Sequence, residues 1–312
     1  MKTLRFLFLV CLFLASCVSS RVKVAKEAVP RQRQWAEVCR ECAMLSYAVY
    51  HPAGAKPADK RQEQEEHALA SHFRSELMKE GWQCVLAHGE NRDRDGIHPG
   101  KWVDGQGLYF EIWTNRRSQP AQHIIAFRGT NFGQLSDWAS NFRWFRRINT
   151  LRKPDQYDTA RDLCREWLKK NVPPGRPDRI VTTGHSLGGG LAQYIFYSSA
   201  PRADQAIVFD PSPVTGFHDR EIKDGARAAK EMEYRPSFVS YRIIRAYEDG
   251  EILQYVRNAL DPLVPDEPLI RHIEFKSKHR SNTISQHSMS MLACTILELT
   301  GRPQSQFVRE WR

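Results

Sequence analysis

Residues 179–194 read RIVTTGHSLGGGLAQY, and the fold turns on this stretch. Ile180 to Thr183 is β-branched and apolar, the composition of a strand buried on both faces. From Leu187 onward small and apolar residues continue, as in a helix packed on a sheet. Between them stands Gly184-His185-Ser186-Leu187-Gly188, a G-x-S-x-G pentapeptide. A serine on a sharp strand-to-helix turn takes a strained backbone conformation. The residues two before and two after it must be tiny, or their side chains meet neighbouring backbone. Such a turn lifts the hydroxyl clear of the sheet and aims the positive end of the helix at it. Ser186 is therefore the candidate nucleophile, and the N–H of Leu187 a candidate donor to an oxyanion. Gly189 and Gly190 predict close approach of the helix to the sheet. A tight turn without chemistry is the plainer reading of the pentapeptide, and the flanking strand and helix weigh against it.

Outward from the turn, strands are expected at Trp82–Leu86, Leu108–Trp113, His123–Phe127, Ala206–Phe209, Phe238–Ala246 and Ile270–Phe275. Apolar residues recur at helical spacing over 33–50, 155–170 and 289–299, and a charged helix is expected over 59–80, ended by Gly81. Residues 88–107 hold five glycines and one proline and read as loops. Alternation of strands with helices predicts an α/β fold, a mainly parallel sheet covered on both faces. No internal repeat or low-complexity tract interrupts it.

A serine hydroxyl needs a base to attack near neutral pH. Behind a turn of this kind the partners follow in the order nucleophile, acid, histidine. His218, His272, His279 and His287 are the histidines after Ser186. His287 lies between the last expected strand and the last expected helix, where the base belongs, and His279 is the second choice. The acid should follow the strand ending near Tyr247, within Glu248-Asp249-Gly250-Glu251-Ile252-Leu253. Glu251 comes after the turn and before an apolar pair that re-enters the fold, and Asp249 is the alternative. The remaining carboxylates there read as a solvated turn.

These motifs resemble the fungal-type lipase family, also called lipase class 3, within the α/β-hydrolase superfamily. Its GHSLGG element stands here at Gly184–Gly189, and its strand-end element at Ala126-Phe127-Arg128-Gly129-Thr130. The family's Asp-Trp pair matches Asp137-Trp138, and the opening helix through Leu45-Ser46-Tyr47 is also similar. The likeness runs over about residues 35–300. It implies hydrolysis of carboxylic esters of lipids, with Thr130 as second oxyanion donor and 131–150 as a lid. That segment interleaves Phe132, Trp138, Phe142, Trp144 and Phe145 with Arg143, Arg146 and Arg147, which suits either a phospholipid interface or a buried loop. Two departures stand out. Asp210-Pro211-Ser212-Pro213 replaces the family's Pro-Arg-Val-Gly, and Glu251-Ile252-Leu253-Gln254 replaces Asp-Ile-Val-Pro.

Residues 1–16 read as a lipoprotein signal peptide. Lys2 and Arg5 precede an apolar run, and Leu14-Ala15-Ser16-Cys17 resembles the bacterial lipoprotein box, with Cys17 as lipid anchor. Cleavage near Ser19 or Ser20 is the alternative. Residues 17–32 then form a tether and 33–312 one catalytic domain. The expected location is an exported, membrane-anchored lipoprotein, with Val18 after the cysteine pointing to the outer membrane. Hydrophobic content of 41% and charged content of 26% mark a globular chain. A net charge of +10 favours anionic phospholipid, and no motif for nucleic acid accompanies it. Five cysteines follow the anchor region, and Cys39 and Cys42 lack a second pair or histidines to make a metal site. They read as small buried apolar residues. No metal or organic cofactor is needed for the implied chemistry. A catalytically silent binding lipoprotein and an acyltransferase are the rival readings.

Overall fold

The computed structural model describes residues 29–55, 60–89, 92–93, 96–97, 108–129, 156–172, 175–199, 202–212, 242–248, 270–276 and 288–302. Helix α1 (Val29–Ala48) begins four residues before the expected start, so 29–32 belong to it and not to a tether. Pro30 in the first turn is tolerated, because its missing N–H would have had no partner inside the helix. Then come α2 (Arg61–Lys79), β1 (Trp82–His88) and a small ladder of β2 (Arg92–Asp93) with β3 (Gly96–Ile97). That ladder lies in a stretch expected to be all loop. The chain continues through β4 (Phe110–Asn115), β5 (Gln122–Phe127), α3 (Gln156–Asn171), β6 (Arg179–His185), α4 (Leu187–Ser199), β7 (Gln205–Phe209), β8 (Ile243–Glu248), β9 (Ile270–Phe275) and α5 (Met289–Thr300).

One sheet holds the order β1-β4-β5-β6-β7-β8-β9. From β5 to β9 every pairing is parallel. At the other edge β1, β4 and β5 pair antiparallel. The link from Asn115 to Gln122 is too short for a crossover, so β4 and β5 form a hairpin. This edge makes the sheet mainly, not wholly, parallel.

Period-two alternation assigns each strand residue to one of two cores. Ile124, Ala126, Ile207 and Phe209 face α1, α2 and α5. Ile125, Phe127, Ala206 and Val208 face α3 and α4. The result is three layers, with the parallel strands dry on both faces. Cys39, Cys42, Cys164 and Cys294 are buried thiols, and Cys84 is exposed on β1. Burial pushes the Cys39 thiol well up and the Cys42 thiol to about 12, so neither is a thiolate at neutral pH. No cluster of three metal-ligating side chains occurs among the described residues. Nor is any described helix long and apolar enough to cross a membrane.

A buried ion pair joins α2 to β4. Arg74 Nη2 lies 2.6 Å from Glu111 Oε1, with side-chain exposures of 6% and 2%. Glu111 also accepts from Tyr109 Oη at 2.8 Å and Trp113 Nε1 at 2.7 Å. Arg74 also donates to the carbonyls of Ala48 (2.8 Å) and His51 (2.7 Å), closing the C-terminal end of α1. A pair this dry depends on these further hydrogen bonds, which satisfy both Glu111 oxygens and both Arg74 Nη atoms and leave Arg74 Nε buried without a partner among the described residues. Glu111→Gln removes the counter-charge and leaves a buried guanidinium, which should cost about 3 kcal/mol. Urea unfolding should show the midpoint falling with an unchanged slope. A midpoint equal to wild type would mean the two carbonyls alone hold Arg74.

Candidate active site

Ser186 sits where β6 passes into α4, at the C-terminal end of a central parallel strand. Its φ of 56° is left-handed, a region that costs a non-glycine residue about 1–3 kcal/mol. The surroundings hold it there. The Ser186 N–H donates to the Phe209 carbonyl at 3.0 Å, and its carbonyl accepts from Gly189 (3.0 Å), Gly190 (3.2 Å) and Ser212 (2.9 Å). The turn is thereby pinned to the end of β7 on one side and to the first turn of α4 on the other. Leu187 is the first residue of α4, where a backbone N–H has no partner inside the helix and carries the positive end of its dipole.

The glycines around the serine admit no side chain. A Cβ on Gly184 would stand 2.5 Å from the carbonyl carbon of Gly188 and 2.8 Å from the Phe127 oxygen. One on Gly188 would meet the Phe127 oxygen, the Arg128 carbonyl carbon at 2.8 Å and the Gly129 nitrogen at 2.9 Å. One on Gly189 would meet Pro211 Cβ at 2.9 Å, so the helix does rest closely on the sheet there. Gly129 is packed from the opposite direction, against Tyr50 Oη and the His185 oxygen. The end of β5 and the serine turn therefore run backbone against backbone.

Three side chains near this contact did not stand out in the sequence. Tyr50, two residues beyond α1, places its hydroxyl 2.9 Å from His185 Nδ1. Burial pushes its phenol upward, so it stays protonated at neutral pH. Arg128 lies with its guanidinium 5.7 Å from the centre of the Tyr109 ring. Burial pulls that guanidinium down to about 10, which leaves it charged near neutral pH, beside the end of β5. Asp210 is fully buried with φ 38°, left-handed like the serine. Its Oδ1 accepts the Glu248 N–H at 3.1 Å, tying the ends of β7 and β8 together. The one signal for Asp210 was its place in the departure from Pro-Arg-Val-Gly.

Glu248 is the last residue of β8 and is 2% exposed. It was expected to lie in a solvated turn, and the strand instead carries it inside. The candidate acids Glu251 and Asp249 lie outside the described residues, as do the candidate bases His287 and His279, the candidate donor Thr130, the lid segment 131–150 and the anchor Cys17. Of the residues singled out for chemistry, the structure thus describes Ser186 and Leu187. Helix α5 begins at Met289 with Ser288 as N-cap, one residue after His287.

A parallel sheet with helices on both faces, and a left-handed serine between β6 and α4, define an α/β-hydrolase. Within that class, the chain matches the family model described as a Tle-like phospholipase domain over residues 41–272, and it belongs to that family. It is 29% identical over 140 residues to an extracellular phospholipase A1 of Serratia liquefaciens, a match covering 44% of this chain and 38% of that one. The chain therefore spans well under two thirds of the length of this relative. Among solved structures it is similar to a fungal lipase, at 13% identity, TM-score 0.44 and coverage of 85% and 86% of the two chains. It is also similar to a mono- and diacylglycerol lipase of Aspergillus oryzae, at 15% identity, TM-score 0.37 and coverage of 83% and 82%.

Proposed function

We propose that this chain hydrolyses carboxylic ester bonds of lipids, phospholipids foremost, through an acyl-enzyme on Ser186. The observation that carries the reading is the left-handed Ser186 at the helix start, with the end of β5 packed backbone to backbone against it. His287 takes the Ser186 proton as the hydroxyl attacks the ester carbonyl, and Glu251, or Asp249 in its place, orients the imidazole. The N–H groups of Leu187 and Thr130 hold the tetrahedral oxyanion. His287 then protonates the leaving alcohol, and water attacks the acyl-enzyme to release the acid and the free serine. The left-handed turn at Ser186 and the helix start at Leu187 support these roles. Family membership and the Serratia phospholipase A1 favour a phospholipid substrate. The extracellular description of that relative supports export of this chain. A leader ending before Cys17 would then leave it anchored at a membrane surface, with the basic residues towards anionic lipid.

A panel of esters presented to the full chain in detergent tests the reading. Short acyl esters, triglycerides and mixed vesicles of phosphatidylglycerol and phosphatidylcholine are compared by release of titratable fatty acid. Release from the vesicles is expected, with an accompanying lysophospholipid. If no member of the panel releases acid, the catalytic reading is wrong and the scaffold serves binding. If acid release gives way to a new ester when an alcohol is added, the enzyme is an acyltransferase.

A further inference from the structure

Leu187 and Thr130 belong to different strand-to-helix connections, 57 residues apart in the chain. Two donors can stabilise one oxyanion only if their spacing is held to a fraction of an ångström. Van der Waals contact between glycine backbones sets how close the two connections come. It does not stop one sliding along the other, which takes a directional bond at the contact itself. The Tyr50 hydroxyl bonds to the serine turn while packed against Gly129. It lies 2.9 Å from His185 Nδ1 and 3.4 Å from the His185 carbonyl, both on the residue before the nucleophile. The same oxygen is packed directly against Gly129, where an added Cβ would collide with it. The Tyr50 and His185 rings also meet edge to face, with centroids 5.8 Å apart.

We infer that Tyr50 is a positioning residue whose hydroxyl clamps the Gly129 strand end to the His185–Ser186 turn and so sets the geometry of the oxyanion hole. Its own position is fixed from outside the site. Arg74, neutralised by Glu111, grips the carbonyls of Ala48 and His51 on either side of Tyr50. The ion pair in the core, the tyrosine and the hole thus form one chain of contacts from α2 to the reacting centre. The clamp deepens the hydrolase reading and rests on it for its effect on rate, while its effect on the Gly129 amide is independent of any activity.

Tyr50→Phe keeps the ring and removes the bridge. In the full-length protein, kcat on a soluble ester should fall about 10-fold, the worth of one lost neutral hydrogen bond, with KM within about twofold. The affinity for an alkyl boronic acid, which mimics the tetrahedral anion, should fall by the same factor as kcat. The Gly129 amide should exchange its hydrogen faster than in wild type while amides in β6 do not. His185→Leu removes the other end of the bridge, and the double variant should be no slower than the worse single one. Unchanged Gly129 exchange in Tyr50→Phe overturns the clamp, whatever the activity. So does a fall in kcat with unchanged boronate affinity, or additive losses in the double variant. If Tyr50→Phe does not fold, His185→Leu with wild-type kcat and boronate affinity overturns it equally. A wild-type protein that turns over no ester, yet shows Gly129 exchange dependent on Tyr50, would sink the hydrolase reading and leave the clamp standing.

Discussion

Ser186→Ala should abolish stoichiometric labelling by a fluorophosphonate and lower ester turnover by about 10⁴-fold or more. The size follows from what is removed. Without the hydroxyl no acyl-enzyme forms, and what survives is the help that bound water receives from the oxyanion donors. The fold should survive, because the turn is held by main-chain bonds that alanine keeps. These are the donation to Phe209 and the acceptance from Gly189, Gly190 and Ser212. Alanine also tolerates the left-handed φ about as poorly as serine does, so the strain is not relieved. Labelling of a folded Ser186→Ala protein at the wild-type rate would place the nucleophile elsewhere. Loss of labelling together with loss of the thermal transition would say nothing of chemistry, so circular dichroism accompanies the assay.

Gly188→Ala comes next in expected effect, and it acts on a different part of the machinery. The new Cβ would stand within 2.9 Å of Arg128 and Gly129 main-chain atoms. Main chain cannot rotate aside as a side-chain tip does. The end of β5 must therefore back away from the serine turn. In the proposed oxyanion hole, a displacement approaching 1 Å between donors costs about 10²-fold in kcat. Overpacking of this kind also costs about 1–3 kcal/mol of stability. The expected result is a protein that folds with a lowered urea midpoint, binds substrate with little change in KM and turns over about 10²-fold more slowly. If stability falls while kcat is unaffected, the close approach serves packing alone and the hole is held in some other way.

Most elements were legible because their signals are local. The apolar run in Gln122–Phe127, the helical stripe of α1 and the Gly184–Gly188 spacing each arise within a few residues. The shift of β4 from 108–113 to 110–115 has a tertiary cause, since hairpin pairing puts Phe110 opposite Phe127 and Asn115 opposite Gln122. Glu111 illustrates a harder case. A carboxylate between Phe110 and Ile112 looks out of place in a buried strand until Arg74 arrives from a helix 37 residues earlier. Glu248 misled in the opposite way. Its neighbours Asp249 and Gly250 give the segment a turn-like composition, yet β8 runs one residue past Tyr247 and buries it.

By itself the sequence determined that there would be a strand, a glycine-flanked serine turn and a helix, in that order. Backbone sterics alone dictate which residues can make such a turn. Only the tertiary structure decided what faces the turn. Strand order put the end of β5 beside β6, and register set Phe127 against Gly184. The path of α1 then delivered Tyr50 to His185, 135 residues away in the chain. Local periodicity specifies which face of an element is buried. It carries no information about which other element's backbone will lie against that face, and the geometry of the proposed oxyanion hole depends on that second fact.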